Sequence, residues 1–187
     1  MKKIIMLIAI VVSLVIVITA AAILYDQFSG DYLPEQMSTQ PQETGEAQKV
    51  KAPDFKVYDV QGNEVRLYDF LGKPLVVNFW ASWCGPCQME MPDFQDKYLE
   101  LGDNVQFLMV NMTDGYRETV QIASDFIAEK GYTFPVYYDT DSDAANTYGA
   151  YSLPTTYFID AQGNAVAQAT GAIDAATLQQ GIDMILK

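Results

Sequence analysis

The chain has 187 residues, with 11 basic and 24 acidic side chains and a formal net charge of −13. It holds no histidine and two cysteines, which excludes Ser-His-Asp triads, Cys-His pairs, His-ligated zinc or haem, a four-cysteine zinc site and a multi-disulfide scaffold. Residues 51–187 carry 8 basic against 19 acidic groups, a surface that repels phosphate backbones, so no nucleic-acid partner is expected.

The first predicted element is the uncharged apolar run Ile4–Tyr25, which ends at Asp26. At about 1.5 Å per residue such a helix spans roughly 30 Å, the thickness of a hydrocarbon core. Lys2 and Lys3 precede it and Asp26, Asp31 and Glu35 follow. Residues 1–25 are therefore predicted to be a single transmembrane anchor, N-in, in a bacterial cytoplasmic membrane. A cleaved signal peptide is the competing reading, because Thr19-Ala20-Ala21-Ala22 offers small residues to a peptidase; such peptides have apolar regions of about 7–15 residues. No cysteine stands at the end of the run, which excludes a bacterial lipid anchor. On either reading the rest of the chain faces an extracytoplasmic compartment where disulfides persist. Residues 26–50 are polar and aperiodic with Pro and Gly, and read as a flexible linker.

Residues 51–187 read as one domain. Phe55–Val60 alternates, Gln61-Gly62-Asn63 turns and Glu64–Leu67 returns, a short hairpin. Pro74–Trp80 is a nearly continuous apolar run, suited to a buried central strand. The spacing of Met91, Phe94, Tyr98 and Leu101 predicts a helix over 88–101. Val105–Met112 reads as a strand, Thr119–Lys130 as an amphipathic helix, Phe134–Tyr138 as a strand and Ala144–Tyr148 as a short helix. Thr155–Ile159 and Ala165–Ala169 form a second hairpin, and Asp174 caps a final helix with Leu178, Ile182 and Ile185 inward. Strands alternating with helices imply an α/β domain.

Trp83-Cys84-Gly85-Pro86-Cys87 joins the buried strand to the following helix. Cysteines at i and i+3 at a helix start can close a small disulfide ring, with the first sulfur toward solvent and the second inward. Unpaired N–H groups and the positive end of the dipole favour thiolate there, so Cys84 is expected to titrate below the ordinary thiol value of about 8.5. Cys84 would then be the nucleophile, and Cys87 would resolve the mixed disulfide. No histidine is needed. An inert structural disulfide is the competing reading, although a bridge between residues so close constrains little chain. No metal or other cofactor is expected.

Asn78-Phe79-Trp80-Ala81-Ser82-Trp83-Cys84-Gly85-Pro86-Cys87 resembles the active-site strand–turn–helix of thioredoxin-fold proteins, and more narrowly the membrane-anchored thiol-disulfide oxidoreductases of the TlpA/ResA type. Ala52-Pro53-Asp54-Phe55 resembles the opening of that group and of the redoxin (AhpC/TSA) domain; Pro92, Leu153-Pro154-Thr155-Thr156, Gly163 and Gly171 match in order. The resemblance implies a thioredoxin-like fold with an N-terminal hairpin and a helix-containing central insertion. It also implies a cis Pro154 packed against the cysteines, with the backbone of Leu153 pairing with an incoming peptide. Cys84–Glu90 resembles the CxxCxxE pattern, in which Glu90 would take the proton Cys87 must lose; a solvated first-turn glutamate is the alternative. Asn78 stands where cytoplasmic thioredoxins carry a buried aspartate and cannot act as a base. Trp83 reads as an active-site lid and Trp80 as core. Gly85-Pro86 resembles the thioredoxin dipeptide, which leans reducing.

The implied activity is reduction of disulfides in exported proteins, such as an apocytochrome c. Electrons would come from a membrane thiol carrier of the DsbD/CcdA type to a monomeric domain. A disulfide donor or isomerase of the same fold, and a non-catalytic binding module, remain as alternatives. A peroxidase is disfavoured, because Ala81 and Val77 stand where the peroxiredoxin pattern needs threonine and proline. Asp139, Asp141 and Asp143 begin like a calcium loop, but Ala144 and Ala150 occupy the glycine and glutamate positions. Asn111-Met112-Thr113 is a sequon at a strand end and reads as accidental.

Overall fold

The structure, a computed structural model, describes residues 19, 38–39 and 50–187. The chain divides into two compact units, Met1–Glu35 and Gln36–Lys187. Only Thr19, in a helical conformation, is described in the first unit, so the predicted anchor over 1–25, that residue apart, lies outside the described residues. Among the described residues no helix is long and apolar enough to cross a membrane.

The second unit is built on one eight-stranded sheet. Its strands are β1 (Ser38–Thr39), β2 (Lys56–Tyr58), β3 (Glu64–Arg66), β4 (Leu75–Trp80), β5 (Gln106–Asn111), β6 (Val136–Tyr138), β7 (Thr155–Ile159) and β8 (Ala165–Thr170). Their order across the sheet is β1-β8-β7-β4-β5-β6-β2-β3. β4, β5 and β6 run parallel, and the remaining neighbours pair antiparallel. β4 lies between β5 and β7 and every residue in it is buried, as its unbroken apolar run predicts. Ser38–Thr39 lie inside the stretch read as a linker, yet they pair with Gln168 and Ala167 of β8. β2 to β6 are shorter than predicted by one or two residues at an end, β7 keeps its predicted bounds and β8 extends by one residue to Thr170.

Helices α1 (Gly85–Leu101), α2 (Val120–Lys130), α3 (Asp143–Tyr148) and α4 (Ala175–Ile185) complete the unit. Alternation along β4 sends its side chains to two cores. Val76 and Trp80 join Cys87, Met91 and Phe94 of α1, Ala123 of α2 and Leu178 and Ile182 of α4. Leu75, Val77 and Phe79 join Phe55, Val57, Leu67 and Tyr148 on the opposite face. On the first face Gly181 lets α4 come close to the sheet: a Cβ there would lie 2.3 Å from the Phe158 ring.

α1 begins three residues before its predicted start. Gly85 and Pro86 look like a turn, but proline is compatible with a helix's first turn because the N–H it lacks has no intrahelical partner there. Pro92 lies within α1, where its ring removes one helix hydrogen bond. Thr119 caps α2 through Ile122 N (3.2 Å), and Asp174 caps α4 through Thr177 N (2.8 Å).

The acidic turn before α3 binds its own chain. The Asp139 carboxylate accepts from Ala144 N (3.1 Å) and Ala145 N (2.8 Å). Asp143 accepts from Lys56 N (2.8 Å), and Asp141 pairs with Lys56 Nζ at 2.7 Å.

Candidate active site

Cys84 is the N-cap of α1, with extended φ and ψ of −81° and 103°. Its sulfur takes the place of a capping oxygen: Cys87 N donates to Cys84 Sγ at 3.2 Å. Cys84 and Cys87 form a disulfide. Cys84 retains 5% exposure and Cys87 none, so only the first sulfur can be approached from outside. The bridge opens on a groove of about 490 Å³ lined by Trp83, Cys84, Gly85, Pro86, Met112, Asp114, Ala150, Tyr151 and Leu153. The Leu153–Pro154 peptide is cis, as the motif implied. Gly171 N donates to the Pro154 carbonyl (2.9 Å) and Thr155 Oγ1 to the Ser152 carbonyl (2.7 Å), which fixes this segment at the groove wall.

Glu90 is not solvated. It is 2% exposed on the buried side of α1, three residues beyond Cys87. Asn78 Nδ2 donates to Glu90 Oε1 (2.8 Å) and Ile173 N to Oε2 (2.9 Å). Burial still dominates, and pushes the Glu90 carboxyl up from 4.5 to about 7. Asn78 Nδ2 also donates to Thr156 Oγ1 (3.0 Å), while Asn78 Oδ1 is buried with no hydrogen-bond partner. Asn78 thus supplies one donor to the carboxylate and no base. Trp80 is fully buried, and Trp83 is 45% exposed at the groove.

A strand-to-helix disulfide beside a cis-proline wall has the chemistry of dithiol–disulfide exchange, and comparison with known proteins agrees. The model of the AhpC/TSA family matches residues 49–168. The chain belongs to the AhpC/TSA family. Within it, the chain is similar to Thiol-disulfide oxidoreductase ResA of Geobacillus thermodenitrificans (strain NG80-2), at 36% identity over 135 residues, 72% of this chain and 75% of that protein. ResA of Bacillus subtilis (strain 168) is 31% identical over 135 residues, 72% of this chain and 73% of that protein. Among solved structures, StoA from Bacillus subtilis is similar at 27% identity and a TM-score of 0.60, covering 72% of this chain and 98% of StoA. A DsbF homologue from Corynebacterium diphtheriae reaches 28% and 0.64, covering 82% and 95%. The protein is a thiol-disulfide oxidoreductase with a thioredoxin-like fold.

This AhpC/TSA-family site contains two residues that sequence reasoning missed. Glu118, in the loop after β5, is completely buried. Its Oε1 accepts from Ser82 N (2.8 Å) and Asn111 Nδ2 (2.6 Å), and its Oε2 accepts from Ser82 Oγ (2.6 Å). Next to it, the Arg117 guanidinium lies 3.3 Å from the centroid of the Trp83 ring. Asn111 of the sequon is fully buried, and Thr113 Oγ1 donates to its Oδ1 (2.8 Å), so its amide serves the fold and is closed to glycosylation.

Proposed function

We propose that the protein is a membrane-tethered, extracytoplasmic reductase of protein disulfides. The observation that carries this reading is the asymmetric pair at the α1 N-terminus: one sulfur at the groove, the other sealed beneath it. In the reduced form the Cys84 thiolate, favoured by the helix terminus, attacks a client disulfide. A Cys84–client bond forms, and the client's other sulfur leaves as thiolate and takes a proton. Cys87 then loses its proton and attacks Cys84 Sγ. The intramolecular disulfide forms, and the second client sulfur departs. Two electrons pass from the dithiol to the client. Glu90, with a carboxyl that titrates near neutrality, receives the Cys87 proton.

Trp83, Gly85, Pro86 and Leu153 line the groove around this exchange, and the cis peptide to Pro154 turns the chain at Leu153. The backbone of Leu153 offers pairing to an extended client segment, and the clients are exported proteins such as an apocytochrome c. Re-reduction of the pair takes two electrons from a membrane dithiol carrier of the DsbD/CcdA type. The uncharged run over 4–25 and the lysines before it support an anchored, outward-facing domain. Gly85-Pro86 supports the reducing direction.

The test is alkylation of intact cells with a membrane-impermeant maleimide. The expected result is labelling of Cys84 at steady state, lost when the membrane carrier is removed. A chain found oxidised throughout, or labelled only after lysis, contradicts the reading.

A further inference from the structure

Ser82, two residues before Cys84, is held at every polar backbone and side-chain atom. Its N–H and hydroxyl both donate to Glu118, and its carbonyl accepts from Gln88 Nε2 of α1 (2.5 Å). Glu118 in turn is tied to the end of β5 through Asn111. The backbone that carries Glu118 is itself fixed. Asp114 Oδ1 accepts from Tyr116 N (2.8 Å), Arg117 N (2.7 Å) and Glu118 N (2.9 Å), bonds that hold its carboxylate below the ordinary range. The same five-residue loop contributes Asp114 to the groove and lays Arg117 on the outer face of Trp83.

A carboxylate with no exposure is retained only where donors surround it, and two of the three here come from the turn that precedes the nucleophile. A guanidinium stacked on an indole restricts the ring it covers. We propose that Glu118 and Arg117 are positioning residues. Glu118 fixes the Ser82–Cys84 turn against the end of β5, and Arg117 holds Trp83 as a standing wall of the groove, so that a client chain meets a preformed surface. Neither residue touches the sulfurs. Their effect falls on client recognition, through Trp83. The inference rests on the client lying in the groove beside Cys84.

The test uses the full chain, reduced, with two disulfide probes: insulin, which must lie along the groove, and the small dithiobis-nitrobenzoate, which need not. Arg117→Ala and Glu118→Gln are each expected to raise the insulin KM, and to lower the ratio of insulin rate to small-probe rate by about fivefold or more. In a Trp83→Ala background the further change Arg117→Ala is expected to move that ratio by less than about twofold, because the ring it holds is gone. Parallel loss with both probes, or an equal effect of Arg117→Ala with and without Trp83, overturns the proposal. Should Glu118→Gln fail to fold, the exposed Arg117→Ala carries the test alone. Failure of the reductase reading would show separately, as a chain oxidised in cells. Insulin exchange by the pre-reduced protein remains measurable in that case.

Discussion

Glu90 and Glu118 are both glutamates at the buried edge of the same site, and they are built differently. Glu118 sits in a loop and accepts three hydrogen bonds of 2.6–2.8 Å, two of them from Ser82. Glu90 sits on α1 and accepts two, at 2.8 and 2.9 Å, one of them from an Asn78 amide whose own oxygen is left without a donor. Burial alone does not decide what a carboxylate does; the supply of donors decides it. Glu118 is defined by the turn it grips. For Glu90, two donors do not offset desolvation, and its carboxyl is pushed up to about 7, where a proton can be taken and returned.

Both glutamates lie beside the segment that carries the cysteines, so removing the nucleophile sets the floor against which they are compared. Cys84→Ser should reduce insulin reduction to the uncatalysed level, and Cys87→Ser should accumulate a mixed disulfide visible on a non-reducing gel. Retained turnover without Cys84 would remove the reason for treating either glutamate as functional. Next in size, Glu118→Ala strips the acceptor from the buried Asn111 amide and from two part-buried donors of Ser82, and should cost about 2–3 kcal/mol in urea unfolding at neutral pH.

Glu90→Gln should act with the opposite sign, and only at high pH. The folded carboxyl titrates near 7 and the unfolded one near 4.5. The native state therefore holds the proton more tightly, and stability falls as pH rises from about 4.5 to about 7. The cost is absent below that window and complete above it. Urea unfolding of the oxidised protein should show Glu90→Gln close to neutral at pH about 4.5 and stabilising by up to about 3 kcal/mol at pH about 8. An effect of equal size at both pH values would erase the distinction between the two glutamates. The smallest effect is Ser82→Ala, which removes one of the three bonds to Glu118 and should cost about 1 kcal/mol by the same assay.

What the sequence disclosed follows the same division. Glu90 was legible because its signal is local: three residues from Cys87 on one helix, inside a recognisable pattern. The central strand β4, α2 and α4 were legible from periodicity and caps. Glu118 was not legible, because a glutamate in the polar loop Asp114–Thr119 reads as solvated, and its partner Ser82 lies 36 residues away. The available signal was topological. β4 and β5 are parallel neighbours, so the loops leaving their C-terminal ends must meet, and Ser82 and Glu118 lie in those two loops. The start of α1 was misplaced because Gly85-Pro86 carries turn chemistry and first-turn helix chemistry at once. Ser38–Thr39 gave no signal, because a two-residue edge strand is made by backbone pairing alone.

The central claim is that the Cys84–Cys87 couple works as a reductant. Its reduction potential in the full chain, measured by equilibration against defined thiol buffers, tests that most directly. A value of about −250 mV or lower, near thioredoxin at about −270 mV, is the predicted result. A value of about −120 mV, that of a strong oxidant, would contradict it and make the protein a disulfide donor.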